Sequence, residues 1–332
     1  MILAKEFNRN HMARELGPPP SLSTSPQVLT RRGLDLTLAT AGPQPPTVVQ
    51  FGASTAEDFG RAASLVAPYT SGVDLNCGCP QSWACAETLG AALMDRRELV
   101  RDMVVAARTR LRGDGFAVDL DPDRDAPAGR SVSVKIRVHQ DLRRTVDFLD
   151  TVVGHPQARG VDFLTIHPRT RRTPSSEPVN VEALQVLVEK YGDTLPILLS
   201  GDVFGLGALP VSSPLLAGGG PAVPKLAGLM AARALLANPA LFAGADRCPW
   251  EAVERFMNRV ARAPLAVKLV QHHISEMTGP GMGPDKRALL SRRERAEMMG
   301  CASMCDLIDF LDAKIVGDRG RAGLRRDVMP YG

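Results

Sequence analysis

The chain has 332 residues, of which 44% are hydrophobic, 23% charged and 5% aromatic, with a formal net charge of +4. That is enough apolar material to bury a substantial core, in one large α/β domain or in a large domain with a small one. Six cysteines over this length exclude the disulfide framework of a small secreted domain, and no stretch approaches the ~20 consecutive apolar residues of a membrane-spanning helix.

The opening "MILAKEFNRN" has no apolar core of a signal peptide, so the expectation is a reduced, soluble protein of the cytoplasm, or of cytoplasm and nucleus. The charge is unevenly spread. From Arg247 to Gly332 there are 15 Lys and Arg against 11 Asp and Glu, whereas the preceding residues balance at 25 against 25. An anionic partner such as RNA would find its field in that last quarter. From charge alone, a solvated helical surface is the simpler account.

Taken in chain order, β-rich runs alternate with helical ones. "PTVVQFGA" (46–53) precedes "STAEDFGRAASLVAPY", where Ser54 and Thr55 offer caps and Glu57 offers to close a capping box. "GVDLN" (72–76) is followed, after the cysteines, by an unbroken helical stretch "AETLGAALMDRRELVRDMVVAARTRL". "SVSVKIRV" (131–138) leads into "LRRTVDFLDTVV", and "GVDFLTIH" (160–167) into "VNVEALQVLVEKYG". "LPILLSG" (195–201) and "LAGLM" (226–230) complete the series before helical "AARALLANPALF", and "MILA" is compatible with the end of one more strand. Such alternation predicts a parallel sheet with helical crossovers. Polar residues recur at the strand ends (Gln50, Asn76, Lys135, Arg137, His167, Gly201), where a (β/α)₈ TIM barrel builds its active site. No Gly-rich dinucleotide fingerprint follows the first strand, so the barrel is preferred to an open doubly wound sheet.

Three stretches read as loops or inserts: 17–26, acidic 113–130, and 205–224. After Cys248 the pattern is purely helical. The organisation expected is a catalytic barrel over 1–246, a small helical domain over 247–316 and a basic, Gly-rich tail over 317–332.

Cys77, Cys79 and Cys85 form C-x-C-x₅-C. A structural zinc site needs a fourth ligand and usually a second pair downstream, which the sequence lacks, so no metal is expected. A thioredoxin-type C-x-x-C is absent too. One working thiol remains. Gly78 and Pro80 force a turn after the strand, which would present Cys79 at a barrel mouth. A free thiol is mostly protonated at neutral pH and can act as an acid. Cys77 and Cys85 read equally well as small buried hydrophobes.

These motifs, "DLNCGCPQSWACAETLGAALM", "VSVKIRVHQDLRRTVDF", "LTIHPRTR", "LLSGDV" and "GLMAARALLANPALFAG", occur in an order that resembles the tRNA dihydrouridine synthases. Those are flavin-dependent (β/α)₈ enzymes with a helical C-terminal domain. The "CGCPQ-W-A" variant is most similar to the eukaryotic branch that acts on tRNA positions 20a and 20b. The resemblance implies FMN as cofactor, NADPH or NADH as reductant, and a uridine in the tRNA D-loop as substrate of a monomeric enzyme. It implies Cys79 as the catalytic acid, and Asn76, Arg137 and Arg169 as substrate contacts. Gln50, Lys135, His167, Ser200, Gly201, Ala232 and Arg233 would hold FMN, the last four at its phosphate. A barrel commonly holds phosphate with the loops after its last two strands, where N–H groups at a helix start favour an anion.

Other readings stand beside these roles. Lys135 among apolar neighbours needs an anionic or polar partner. His167 alone would be an ordinary satisfied histidine, Arg233 a helix cap, and Arg169, Arg171 and Arg172 a solvated basic loop. His272 and His273 read as structural or RNA-facing, and Met298 and Met299 as core. The family's first strand, which ends in Ala-Pro-Met, and the helix after it have no counterpart before "MILAKEF"; Ser200 stands where asparagine is usual, and Ala231-Ala232 precede Arg233. A non-catalytic RNA-binding relative, or a fragment unable to hold FMN, is therefore the competing expectation. An FMN barrel that reduces free pyrimidines is a third, disfavoured by the basic C-terminal quarter.

Overall fold

The computed structural model describes residues 1–10, 46–118, 129–156, 159–213, 220–262 and 264–319. The stretch 17–26, most of the acidic stretch 113–130, residues 214–219 of the third insert, and the tail from residue 320 lie outside the described residues. The chain divides into two compact units. Among the described residues the first comprises 1–201, 213 and 221–230, and the second 202–212, 220 and 231–319. The division puts residues 231–246 with the helical unit, earlier than the change of pattern at Arg247.

In the first unit, β1 (Ile2–Leu3) leads into α1 (Ala4–Arg9), β2 (Val48–Gly52) into α2 (Ala56–Val66), and β3 (Gly72–Cys77) into α3 (Ser82–Ala86) and α4 (Arg97–Gly113). Then β4 (Ser131–Arg137) and α5 (Leu142–Val153) precede β5 (Leu164–His167) and α6 (Val181–Tyr191), with β6 (Ile197–Ser200) and β7 (Gly228–Met230) last. All seven described strands are parallel and hydrogen-bonded in chain order, with β1 and β7 outermost. This is the strand order of a TIM barrel, with seven of its eight strands among the described residues.

Side-chain alternation along the strands decides which residues reach the site. Phe51, Leu75, Val134, Ile136, Leu164, Ile166 and Leu199, all 0% exposed, occupy one parity. The other parity carries the polar set described below. Thr55 caps α2, accepting from the Asp58 N–H at 3.1 Å and donating its hydroxyl to Asp58 Oδ2 at 3.0 Å, so the cap engages Asp58 and not Glu57. The helix expected to run unbroken from Ala86 is interrupted. α3 ends there, Thr88 and Gly90 take φ of +57° and +59°, and a 3₁₀ turn over Gly90–Asp95 precedes α4. The cause is a close approach: a Cβ on Gly90 would lie 2.5 Å from the Cys79 carbonyl oxygen, which only glycine tolerates at that φ.

At the N-terminal end of β4 and β5, Arg108 of α4 is pinned to Asp162 by bonds of 3.0 and 2.9 Å, and Asp162 also accepts the Val132 N–H at 2.7 Å.

The second unit contains α7 (Arg233–Ala237), α8 (Trp250–Arg262), α9 (Val267–Thr278), α10 (Arg292–Gly300) and α11 (Met304–Arg319). Trp250, Val253, Met257, Ile274, Leu307 and Leu311 are among the residues of its core. Ser291 and Glu294 form a reciprocal capping box on α10. Met298 is buried as expected, but Met299 is 37% exposed, because the next residue on α10 points off the buried face. Arg255, Arg259 and Arg262 are exposed at i, i+4 and i+7 on one face of α8.

Candidate active site at the barrel mouth

The polar parity of the strands forms a connected set. In register, Gln50 lies opposite Asp74 and Asp74 opposite Ser133; one step higher, Asn76 lies opposite Lys135 and Lys135 opposite Thr165; above these, Arg137 faces His167. Ser133 Oγ donates to Asp74 Oδ1 and Gln50 Nε2 donates to Asp74 Oδ2, both at 2.7 Å. Gln50 Oε1 in turn accepts from Asn76 Nδ2 at 2.7 Å. That leaves Asn76 Oδ1 to accept the N–H groups of Gly78 (3.0 Å) and Cys79 (2.9 Å).

The order of this relay has a chemical reason. An ionised carboxylate only accepts, so Asp74 fixes which way the Gln50 amide points, and Gln50 fixes Asn76. Among the described residues the second Asn76 N–H has no partner. Sequence reading missed Asp74 and Ser133. The available signal was an acid at an inward position of "GVDLN", two residues before Asn76.

Cys79 is held from both sides through its backbone. Its N–H goes to Asn76, and its carbonyl accepts from the Ala91 N–H at 2.8 Å and from the Cys85 thiol at 3.7 Å. The Cys79 side chain is half-buried, 3.9 Å from Gln81 Oε1. Cys77 is fully buried, and burial pushes its thiol well above its ordinary pKa. Cys85 is therefore a brace for the Cys79 turn, and Cys77 a packed core residue.

Arg137 ties two loops together, donating to the Gly78 carbonyl at 3.0 Å and to the Thr170 carbonyl at 2.7 Å. Arg169 differs from expectation. It is only 3% exposed, and it donates through Nε (2.8 Å) and Nη2 to the Glu177 carbonyl and through Nη1 to His167 Nε2 at 2.8 Å. It braces the loop after β5 instead of standing in the mouth, because that loop curls a carbonyl back over it. Arginine has no acceptor, so His167 Nε2 accepts and its other ring nitrogen carries the proton. Gly201 (φ +106°) passes directly over this ring: a Cβ there would lie 2.8 Å from His167 Nε2. Ser200 is buried at the end of β6. Ala232 and Arg233 are exposed at the start of the five-residue α7, in the second unit.

Lys135 and Asp74 carry the electrostatics. Burial pushes the Asp74 carboxyl up to about 6, against the pull of Gln50, Ser133 and Lys135. Burial pushes the Lys135 ammonium down to about 8, with Asp74 opposing and Arg137 adding to the fall. Folded Asp74 thus holds its proton more tightly than the unfolded chain, so its contribution is present below about 4 and lost as pH rises through 6. Lys135 works the other way, restoring stability as pH rises from about 8 towards its ordinary value of 10.5. Stability of the cofactor-free protein should therefore be lowest between about pH 6 and 8, where both groups are charged. Denaturant titrations of wild type and Asp74→Asn at pH 4 and 7 check this. Their difference should shift by about 2 kcal/mol, and a pH-independent difference refutes it.

A flavin fits these residues. The half-buried Lys135 ammonium makes no hydrogen bond among the described residues, and beside it in register the buried Thr165 Oγ1 also lacks a partner. Polar groups left so within a barrel call for an acceptor-rich ligand. No cluster of three or more metal-ligating side chains occurs among the described residues, and no described helix is long and apolar enough to cross a membrane.

The fold is that of a TIM-barrel enzyme, a class whose active sites lie at the C-terminal ends of the strands. Residues 4–294 match the family described as dihydrouridine synthase, and the chain belongs to that family. It is 32% identical over 266 residues to a human tRNA-dihydrouridine(20a/20b) synthase NAD(P)+-like protein, covering 80% of this chain and 72% of that one. It is 33% identical over 270 residues to the tRNA-dihydrouridine(20a/20b) synthase of Schizosaccharomyces pombe, covering 81% and 71%. The Saccharomyces cerevisiae protein of the same description is 33% identical over 314 residues, covering 94% and 71%.

Proposed function

We propose that this protein reduces the C5–C6 double bond of uridine in tRNA, at positions 20a and 20b, with FMN as cofactor and NAD(P)H as the source of electrons. The positions are those in the relatives' descriptions. The observation that carries the reading is the Cys79 turn, anchored at the barrel mouth to Asn76, which lies opposite Lys135 in register. Bound FMN would supply the hydride that C6 of the uracil receives, with NAD(P)H as the source of its electrons.

The chain's own residues do the rest. Lys135, with Gln50, His167 and Gly201 around the mouth, offers the polar edge against which the cofactor ring is oriented. Asn76 retains an N–H for the base. The Cys79 thiol gives its proton to C5, completing addition of a hydride and a proton across the double bond, and regains one from solvent. A uridine in a folded loop must leave its stack, which costs a few kcal/mol. Phosphate contacts from the basic face of α8 would offset that.

The test is the flavin absorbance band of the purified chain, followed by incubation with NADPH and unmodified tRNA. The expected result is a yellow protein and a gain of one H₂ in a tRNA uridine by mass spectrometry. A colourless protein that binds tRNA would point to the non-catalytic relative, and a yellow protein that leaves tRNA unchanged would refute the substrate.

A further inference from the structure

The chain has two tryptophans, and the structure treats them in opposite ways. Trp250 is 4% exposed in the core of the second unit, whereas Trp83 is 48% exposed on α3, directly after the Cys79 turn. Fully burying an aromatic of this size removes some 150–250 Å² from water, so leaving it open forgoes a large stabilisation. Trp83 is nonetheless held in place. Its indole N–H donates to Gln81 Oε1 at 2.7 Å, the oxygen that also lies 3.9 Å from Cys79 Sγ. The next residue, Ala84, is fully buried, so α3 is packed on one side. Among the described residues no other ring or cation stacks on the indole.

A flat apolar face, fixed at its polar end and open beside the reacting thiol, suits another flat face. We infer that Trp83 is a stacking platform for the unpaired base next to the target uridine, positioning the RNA strand over Cys79. This rests on the tRNA reading above. Pulling one base out of a loop unstacks its neighbours, and exposed bases are commonly taken up on aromatic side chains. Gln81 then has a double part, locking the indole and flanking the thiol, so that base and acid are set by one side chain.

The test compares the flavin-loaded wild type with Trp83→Phe and Trp83→Ala, using unmodified tRNA as probe, and flavin content and melting temperature as controls for folding. In the wild type, tRNA should quench the tryptophan emission. In Trp83→Phe, where only the buried Trp250 remains, that quenching should vanish while affinity stays within a few-fold. Trp83→Ala should weaken tRNA binding about 5- to 140-fold, the range produced by losing one base stack, with the effect larger in KM for tRNA than in kcat. Equal quenching in wild type and Trp83→Phe, or unchanged affinity in Trp83→Ala, overturns the assignment while the enzyme reading stands. A wild type that neither binds nor reduces tRNA overturns both.

Discussion

Replacing Cys79 by alanine should lower the rate of uridine reduction by about 10²–10⁴-fold, the contribution of a positioned general acid. The geometry makes this a clean test. The close bonds that hold the turn use the Cys79 backbone, its N–H to Asn76 and its carbonyl to the Ala91 N–H and the Cys85 thiol, and the side chain adds only a 3.9 Å contact to Gln81 Oε1. Truncating the side chain removes the proton donor and leaves the turn in place, so the loss should fall on kcat with KM for tRNA changed little. Flavin content should match the wild type, since the thiol is not among the groups assigned to the cofactor. Cys85→Ala removes only a long contact to a carbonyl that keeps its Ala91 partner, so its effect should stay within a few-fold. Equal losses in the two variants would show a structural role for both cysteines and sink the acid assignment.

The sequence revealed most about those parts of the molecule where periodicity and local chemistry agree. Buried runs such as "VSVKIRV" announced the strands, and residues out of character with them (Gln50, Asn76, Lys135, Arg137, His167) lie together on the inward parity of β2 to β5. Less legible was anything decided by a reach across the fold. Arg169 looked like a ligand from its place in "HPRTR", but the direction of a long guanidinium depends on where the Glu177 carbonyl returns, eight residues on. The break between α3 and α4 was hidden by good helix formers. It is imposed by packing of Gly90 against Cys79, a contact that helix propensity does not register. Asp74 escaped notice because its partners come from neighbouring strands, and only register brings Gln50 and Ser133 to its two oxygens. Ala232 and Arg233 carried a family resemblance to the phosphate turn, and they belong to the second unit.

The second large effect is expected far from the chemistry. Arg108 is 6% exposed and Asp162 1% exposed, and the pair closes with bonds at 3.0 and 2.9 Å. Arg108 Nη2 also donates to the Val118 carbonyl at 2.5 Å. Among the described residues, Arg108→Ala would leave Asp162 only its hydrogen bond from the Val132 N–H and would deprive Val118 of this donor. Breaking one half of a buried pair typically costs 3–5 kcal/mol, so the urea midpoint should fall by about that much divided by the m-value. The deficit should depend on pH in a defined sense. Burial already holds the Asp162 carboxyl above its ordinary value, with Arg108 the foremost influence pulling it down. Without Arg108 the carboxyl rises further in the folded state, so the protonated form relieves the variant. The loss is then full at neutral pH and shrinks as pH falls through the carboxylate range. Replacing both residues by apolar ones should recover part of the stability, as removing a whole buried pair often does, but not all, because Val132 and Val118 keep unpaired backbone groups. The pair lies at the N-terminal end of β4 and β5 and Cys79 past the C-terminal end of β3, so the variant's activity per folded molecule should match the wild type. A loss of kcat in proportion to the loss of stability would mean that the two ends of the barrel are coupled.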